Sequence, residues 1–143
     1  MQDIPGAILI VEDTEKFAMW EMRAMHKLFP DKDIIHVTNL EDAQDILTQS
    51  AYEIVAVMTD NGYPLVPGGT RCGSKSSMGG AGTLLVKQIR EGHFGEKKRN
   101  LPVIWHTATI TDEKTDRVMQ YDGKDFPGLT HCFQKSNGTK AFV

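Results

Sequence analysis

Two apolar runs rich in β-branched residues, at 7–11 and 53–58, lack the polar alternation of a half-exposed strand, and each gives way to acid. Glu12 and Asp13 follow the first run, and Asp60 stands just beyond the second. Strands apolar on both faces need cover on both faces, which is the habit of parallel sheets. Shorter runs at 101–105 and 131–134 are of the same kind, and 33–37 is a weaker candidate, so five strands are expected. Residues 15–29 carry Phe17, Trp20, Ala24 and Leu28 at helical spacing, with Thr14 placed to cap them. Asn39 can cap a helix over 41–47. Leu84, Leu85 and Ile89 fall on one face of 82–90, and 111–121 reads as a fourth helix opened by Thr109 or Thr111.

Strands alternating with helices imply right-handed crossovers and an α/β fold with a parallel sheet between helical layers. Ligands of such sheets bind beyond the carboxyl ends of the strands, where the strand order switches. The chemically unusual residues fall there: Glu12 and Asp13 after the first strand, Asp60 after the third, Thr107 after the fourth and Lys135 after the fifth. A length of 143 residues suits a single domain, 1–143. A net charge of -3 offers no footprint for nucleic acid. The 2 cysteines, Cys72 and Cys132, are far apart and fit neither a disulfide framework nor a zinc cluster. No run approaches the ~20 apolar residues of a membrane span, and a soluble cytoplasmic protein is expected.

Carboxylates held together repel one another, so a cation must offset them, and hard oxygen ligands favour Mg²⁺ or Ca²⁺. Mg²⁺ is preferred, because few carboxylates completed by water and phosphate oxygens suit its octahedral habit. An aspartate beside such an ion can attack phosphorus in line while the ion and a lysine offset the charge on the other oxygens. The blocks Ile8-Leu9-Ile10-Val11-Glu12-Asp13, Val57-Met58-Thr59-Asp60, Pro102-Val103-Ile104-Trp105-His106-Thr107-Ala108 and Phe133-Gln134-Lys135 resemble, in order and placement, the signature of response-regulator receiver domains. That resemblance implies a flavodoxin-like three-layer sandwich with strand order 2-1-3-4-5. It also implies Asp60 as phospho-acceptor, and Mg²⁺ held by Glu12, Asp13, Asp60 and the main-chain carbonyl of Gly62. Thr107 and Lys135 would then read the phosphorylated state. A histidine kinase or phosphotransfer protein of a phosphorelay is the implied donor to Asp60, and an unknown downstream protein is the implied partner of the switched sheet edge. The chain's own chemistry would be at most self-phosphorylation from small donors and autodephosphorylation.

The chain departs from that pattern in several places. Residues 65–81 form a Gly/Ser-rich insertion between the third strand and third helix, and its composition leaves order and disorder equally open. Gly68 and Gly73 have phosphate-loop spacing, but Ser74 holds the lysine position and Lys75-Ser76 come one residue late, so nucleotide binding is a minor alternative. Arg71 or Lys75 could instead fold over Asp60 as a lid. Cys132 stands where a Tyr or Phe often rotates on activation, and Ser136 replaces a common proline. Residues 137–143 are at most a stub of the fifth helix, which would expose apolar surface and predicts a homodimer through that face or a longer native chain. His106 reads as a satisfied packing histidine beside the site. A receiver-fold binding module uncoupled from phosphorylation is the main alternative to the switch.

Overall fold

The computed structural model describes residues 6–49, 51–77, 79–107, 111–121 and 130–134. The apolar runs become strands β1 (Gly6–Val11), β2 (Asp33–Val37) and β3 (Glu53–Asp60). After β3 come two short strands, β4 (Tyr63–Pro64) and β5 (Arg71–Cys72), then β6 (Val103–Thr107) and β7 (Thr130–Gln134). The main sheet has 5 strands in the order β2-β1-β3-β6-β7, all neighbours parallel. With the small antiparallel pair β4-β5 set aside, this is the expected 2-1-3-4-5 order of a flavodoxin-like fold.

Helices α1 (Glu15–Leu28), α2 (Leu40–Thr48), α3 (Ala81–Arg90) and α4 (Asp112–Met119) connect the strands. Asn39 caps α2 as expected, its side chain accepting from Asp42 N at 2.9 Å. Thr111 caps α4 through Lys114 N at 3.2 Å, whereas Thr14 stands at the α1 N-cap without a side-chain cap bond. Its own N–H instead donates to Glu12 Oε1 at 3.2 Å, so the cap position serves the acidic strand end.

The sheet separates two apolar layers. On one side Leu9, Val11, Val57 and Trp105 meet Leu47 of α2 and Leu85 of α3, and Val118 of α4 joins this cluster. On the other, Ile8, Ile10 and Met58 meet Ala24 and Met25 of α1. Pairing of β1 with β3 skips Val55, Ala7 lying opposite Ile54 and Ile8 opposite Ala56. This extra residue reverses the alternation along β3, so Ile54 and Val57 share a layer while Met58 lies on the α1 side. By strand alternation Asp60 takes that same side.

The buried face of α1 is rotated from the expected one. Ala18, Glu21, Ala24 and Met25 are buried, while Leu28 is 53% exposed and Phe17 and Trp20 are half-buried, stacked edge to face at 5.6 Å. The expected stripe passed over Glu21 as polar, yet Glu21 occupies a core position. A cavity of about 350 Å³ on the α1 side is lined by Ile8, Met25, Val55, Met58, Ile104 and His131. The expected fifth-helix stub, Ser136 and Lys135 lie outside the described residues. Among the described residues no helix is long and apolar enough to cross a membrane.

Candidate functional site

Parallel strands bring the acidic residues to one edge because β1 and β3 end side by side, with Val11 opposite Thr59. Glu12 leaves β1 with its N–H bonded to Val37 O at 3.0 Å. Its carbonyl lies 2.8 Å from His36 Nε2; a carbonyl only accepts, so that nitrogen carries the proton. Ligand oxygens of Glu12, Asp13 and Asp60 all lie within 4.8 Å of one another. Glu12 and Asp60 are buried, and Asp13 is partly so. Gathering three carboxylates this closely is unfavourable without positive charge.

Among the described residues, one positive charge at the cluster comes from the insertion. The pairing of β4 with β5, Pro64 opposite Arg71 and Tyr63 opposite Cys72, turns the loop back over the strand ends. Arg71 Nη2 donates to Asp60 Oδ2 at 3.2 Å and Nε donates to the Gly62 carbonyl at 2.8 Å. Arg71 Nε also lies 3.9 Å from Asp13 Oδ2. The lid expectation therefore holds for Arg71. Lys75 lines the same cleft of about 460 Å³ with Asp60, Asn61, Gly62, Arg71 and Thr107.

Asn61 was not singled out from the sequence, yet it joins the parts of the site. Its N–H donates to Asp60 Oδ1 at 2.8 Å. Its side-chain oxygen accepts from Thr83 N at 3.1 Å, Thr83 Oγ1 at 2.8 Å and Trp105 Nε1 at 3.2 Å. Its amide donates to Ser74 Oγ at 2.7 Å and Gly79 O at 3.0 Å. The N-cap of α3 is Gly80, which has no side chain to offer, so Asn61 caps α3 from a neighbouring strand end. Close packing makes Gly82 necessary: a Cβ there would sit 2.0 Å from Asp60 O.

Beneath the acidic cluster, Glu12 also faces Glu21 and His106, one ligand atom from each lying within 4.8 Å of the others. His106 Nε2 is 3.0 Å from Glu21 Oε1, and both side chains are buried. His106 is buried, as a packing histidine would be, and the side chain it meets is Glu21, a residue outside the stripe expected for α1. Thr59 Oγ1 is bonded to Asp60 O at 2.8 Å and lies 2.9 Å from Tyr63 Oη. Burial pushes the Tyr63 phenol well above its ordinary value; the Thr59 bond opposes this, and the Asp60 and Glu12 charges add to it.

Thr107 ends β6 and lines the cleft with Asp60. Cys132, opposite Trp105 on β7, is half-buried against the larger apolar cluster, in place of the aromatic side chain that the resemblance leads one to expect. Lys135 lies outside the described residues. The near phosphate loop does not open a helix, since α3 begins at Ala81.

The donor set fits a divalent ion. Three carboxylates and one main-chain carbonyl converge, Asp13 Oδ1 is buried without a hydrogen-bond partner, and a guanidinium stands among them as a substitute cation.

The sequence matches no family model and no curated protein. The structure is similar to the signal receiver domain of a DNA-binding response regulator from Colwellia psychrerythraea 34H, at 25% identity and TM-score 0.62 over 90% of this chain and 85% of that one. It is also similar to the phosphorylated cyanobacterial phytochrome response regulator RcpA, at 13% identity and TM-score 0.70 over 96% and 86%. A chemotaxis response regulator of Vibrio cholerae aligns at 12% identity and TM-score 0.67 over 96% and 92%. The chain has the receiver-domain fold of two-component response regulators.

Proposed function

We propose that the protein is a phosphorylation-controlled switch in a cytoplasmic two-component phosphorelay, with Asp60 as the acceptor. The convergence of Glu12, Asp13 and Asp60 within 4.8 Å at the end of the sheet carries this reading. One of the similar structures is of a phosphorylated response regulator, and the same chemistry suits Asp60 here.

Asp60 attacks the phosphorus of a phosphohistidine on a kinase or phosphotransfer partner. The new O–P bond forms as the P–N bond breaks, and the departing imidazole keeps the electron pair and takes up a proton. Mg²⁺ held by Glu12, Asp13, Asp60 and the Gly62 carbonyl would offset charge on the oxygens of the transferred group. Asn61 orients the acceptor by fixing Asp60 Oδ1 at 2.8 Å. Thr107 is placed in the cleft to donate its hydroxyl to a phosphoryl oxygen, and Lys135 pairs with the same group in the role the family resemblance gives it. The downstream partner would read the resulting change at the sheet edge.

Incubation with Mg²⁺ and a small acyl phosphate, followed by intact-mass measurement, tests the reading. Wild type should gain one phosphoryl group and Asp60→Ala none. A second reading, a receiver-fold binding module uncoupled from phosphorylation, is favoured by one observation: Arg71 of the insertion pairs with the acidic cluster. No mass gain in either protein would support it over the switch.

A further inference from the structure

We propose that Arg71 is a tethered cation seated in the divalent-ion position, so that the guanidinium and the ion compete for the same ligands. The proposal rests on the metal-assisted acceptor reading of Asp60. Of the four groups assigned to the ion, Arg71 engages Asp60 Oδ2 at 3.2 Å and the Gly62 carbonyl at 2.8 Å, and it lies 3.9 Å from Asp13 Oδ2. A guanidinium offers donors only and cannot itself ligate a cation, and two cations in one seat repel. Arg71 must therefore leave Asp60 and Gly62 before a divalent ion can take all four ligands.

The loop holds Arg71 in place while allowing it to leave. Antiparallel pairing with Tyr63–Pro64 fixes the backbone of Arg71–Cys72. Ser74 bonds the Asn61 amide at 2.7 Å, and Ser76 Oγ accepts from Gly80 N at 3.2 Å. The insertion is thus anchored through β5 and through the turn that follows it. The Arg71 side chain itself is 55% exposed, so its charged head can swing into water, where hydration offsets part of the contacts it gives up. With Arg71 half-exposed and Asp60 buried, the pair lies between an exposed pair and a buried one, which sets the handicap on the ion at about 3- to 10-fold in apparent affinity, or ~0.6–1.4 kcal/mol at 1.4 kcal/mol per tenfold.

This handicap would shift occupancy of the acceptor site to a higher ambient divalent-ion concentration than in a receiver without the insertion. Released Arg71 remains tethered beside the acceptor, so the loop would change its contacts when the site loads. The rearranged segment would be β5 and its flanking turns, which lie on the surface next to Asp60.

Calorimetric titration of the full chain with Mg²⁺ tests the competition, using wild type, Arg71→Ala, Arg71→Gln and Lys75→Ala, each checked for folding by circular dichroism. Both Arg71 variants should bind Mg²⁺ about 3- to 10-fold more tightly than wild type, and Lys75→Ala should match wild type within about twofold. In wild type, the Arg71 Nε–H resonance should shift toward solvent exchange with the same Mg²⁺ midpoint. Equal or weaker binding by the Arg71 variants overturns the proposal. So does an equal gain in Lys75→Ala, which would indicate a general field effect and not a shared seat, and so does the absence of Mg²⁺ binding in every protein. The acceptor reading is judged separately by the intact-mass assay: phosphorylation with unchanged Mg²⁺ affinities sinks only the competition, and tightened affinity without phosphorylation sinks only the acceptor role.

Discussion

Asn61→Ala is the most informative stability test, because one side chain satisfies buried donors from two elements. Its oxygen accepts from the Trp105 indole and from both Thr83 donors, and Trp105 and Thr83 are buried. The Thr83 hydroxyl can rotate toward another acceptor, but the Thr83 N–H, in the first turn of α3, loses the cap that Asn61 provides. The Trp105 N–H has no alternative either, since its ring is fully buried and an indole has a single fixed donor. Stranding it costs about 1–3 kcal/mol, and the space left by the amide adds about 1 kcal/mol, for a destabilisation of ~3 kcal/mol. Urea unfolding monitored by far-UV circular dichroism measures this. A double-mutant cycle with Trp105→Phe isolates the indole bond, since phenylalanine has no donor to strand. The Phe substitution should cost ~1 kcal/mol less in the Asn61→Ala background than in wild type. Additivity within about 0.3 kcal/mol would show that the indole bond contributes nothing and would remove Asn61 as the link between β3 and β6.

Gly82→Ala must push the Asp60 carbonyl away from a 2.0 Å overlap, so thermal unfolding should reveal a loss above ~3 kcal/mol, while Gly73→Ala, with nothing within 4 Å, should stay within about 1 kcal/mol of wild type. Removing one partner of the buried Glu21–His106 contact should cost about 3 kcal/mol, while the Glu21→Met, His106→Leu double variant should recover most of it in the same urea assay. Tyr63 keeps its proton in the folded state above the value of 10.0 at which it loses it when unfolded. The native state therefore binds more protons above that pH, and stability should fall by up to ~1.4 kcal/mol per pH unit more steeply in wild type than in Tyr63→Phe. Thr107→Ala should slow phosphoryl transfer from a small acyl phosphate by about tenfold, read by intact mass against time, while leaving Mg²⁺ affinity unchanged.

The sheet and the acidic edge were legible because they depend on local pattern. Apolar runs such as 7–11 and 53–58 mark strands buried on both faces, and a residue that follows such a run reaches the sheet edge whatever the loops do. Glu12, Asp13 and Asp60 could therefore be placed together from their positions alone, as the structure places them. Burial on α1 was less legible because periodicity was weighed by hydrophobicity: Ala18, Glu21 and Met25 have helical spacing, but the buried glutamate hid the stripe until His106 was seen across from it. The contact depends on two residues far apart in sequence, and neither one announces the other.

The insertion was the least legible part for a different physical reason. Its path depends on a two-residue antiparallel pairing and on hydrogen bonds from Ser74 and Ser76, none of which leaves a periodic signal. A glycine- and serine-rich composition measures the entropy lost on ordering, not the contacts that offset it. Here the offset comes largely from outside the loop, since Asn61, a strand-end residue, holds Ser74 and Gly79 while also fixing Asp60 Oδ1. Anchoring the loop and orienting the acceptor are thus functions of one side chain and its own backbone. A change that loosens the insertion should also disturb the carboxylate it covers, and for that reason Arg71, which contacts the cluster without anchoring the loop to Asn61, is the residue at which the two roles can be separated.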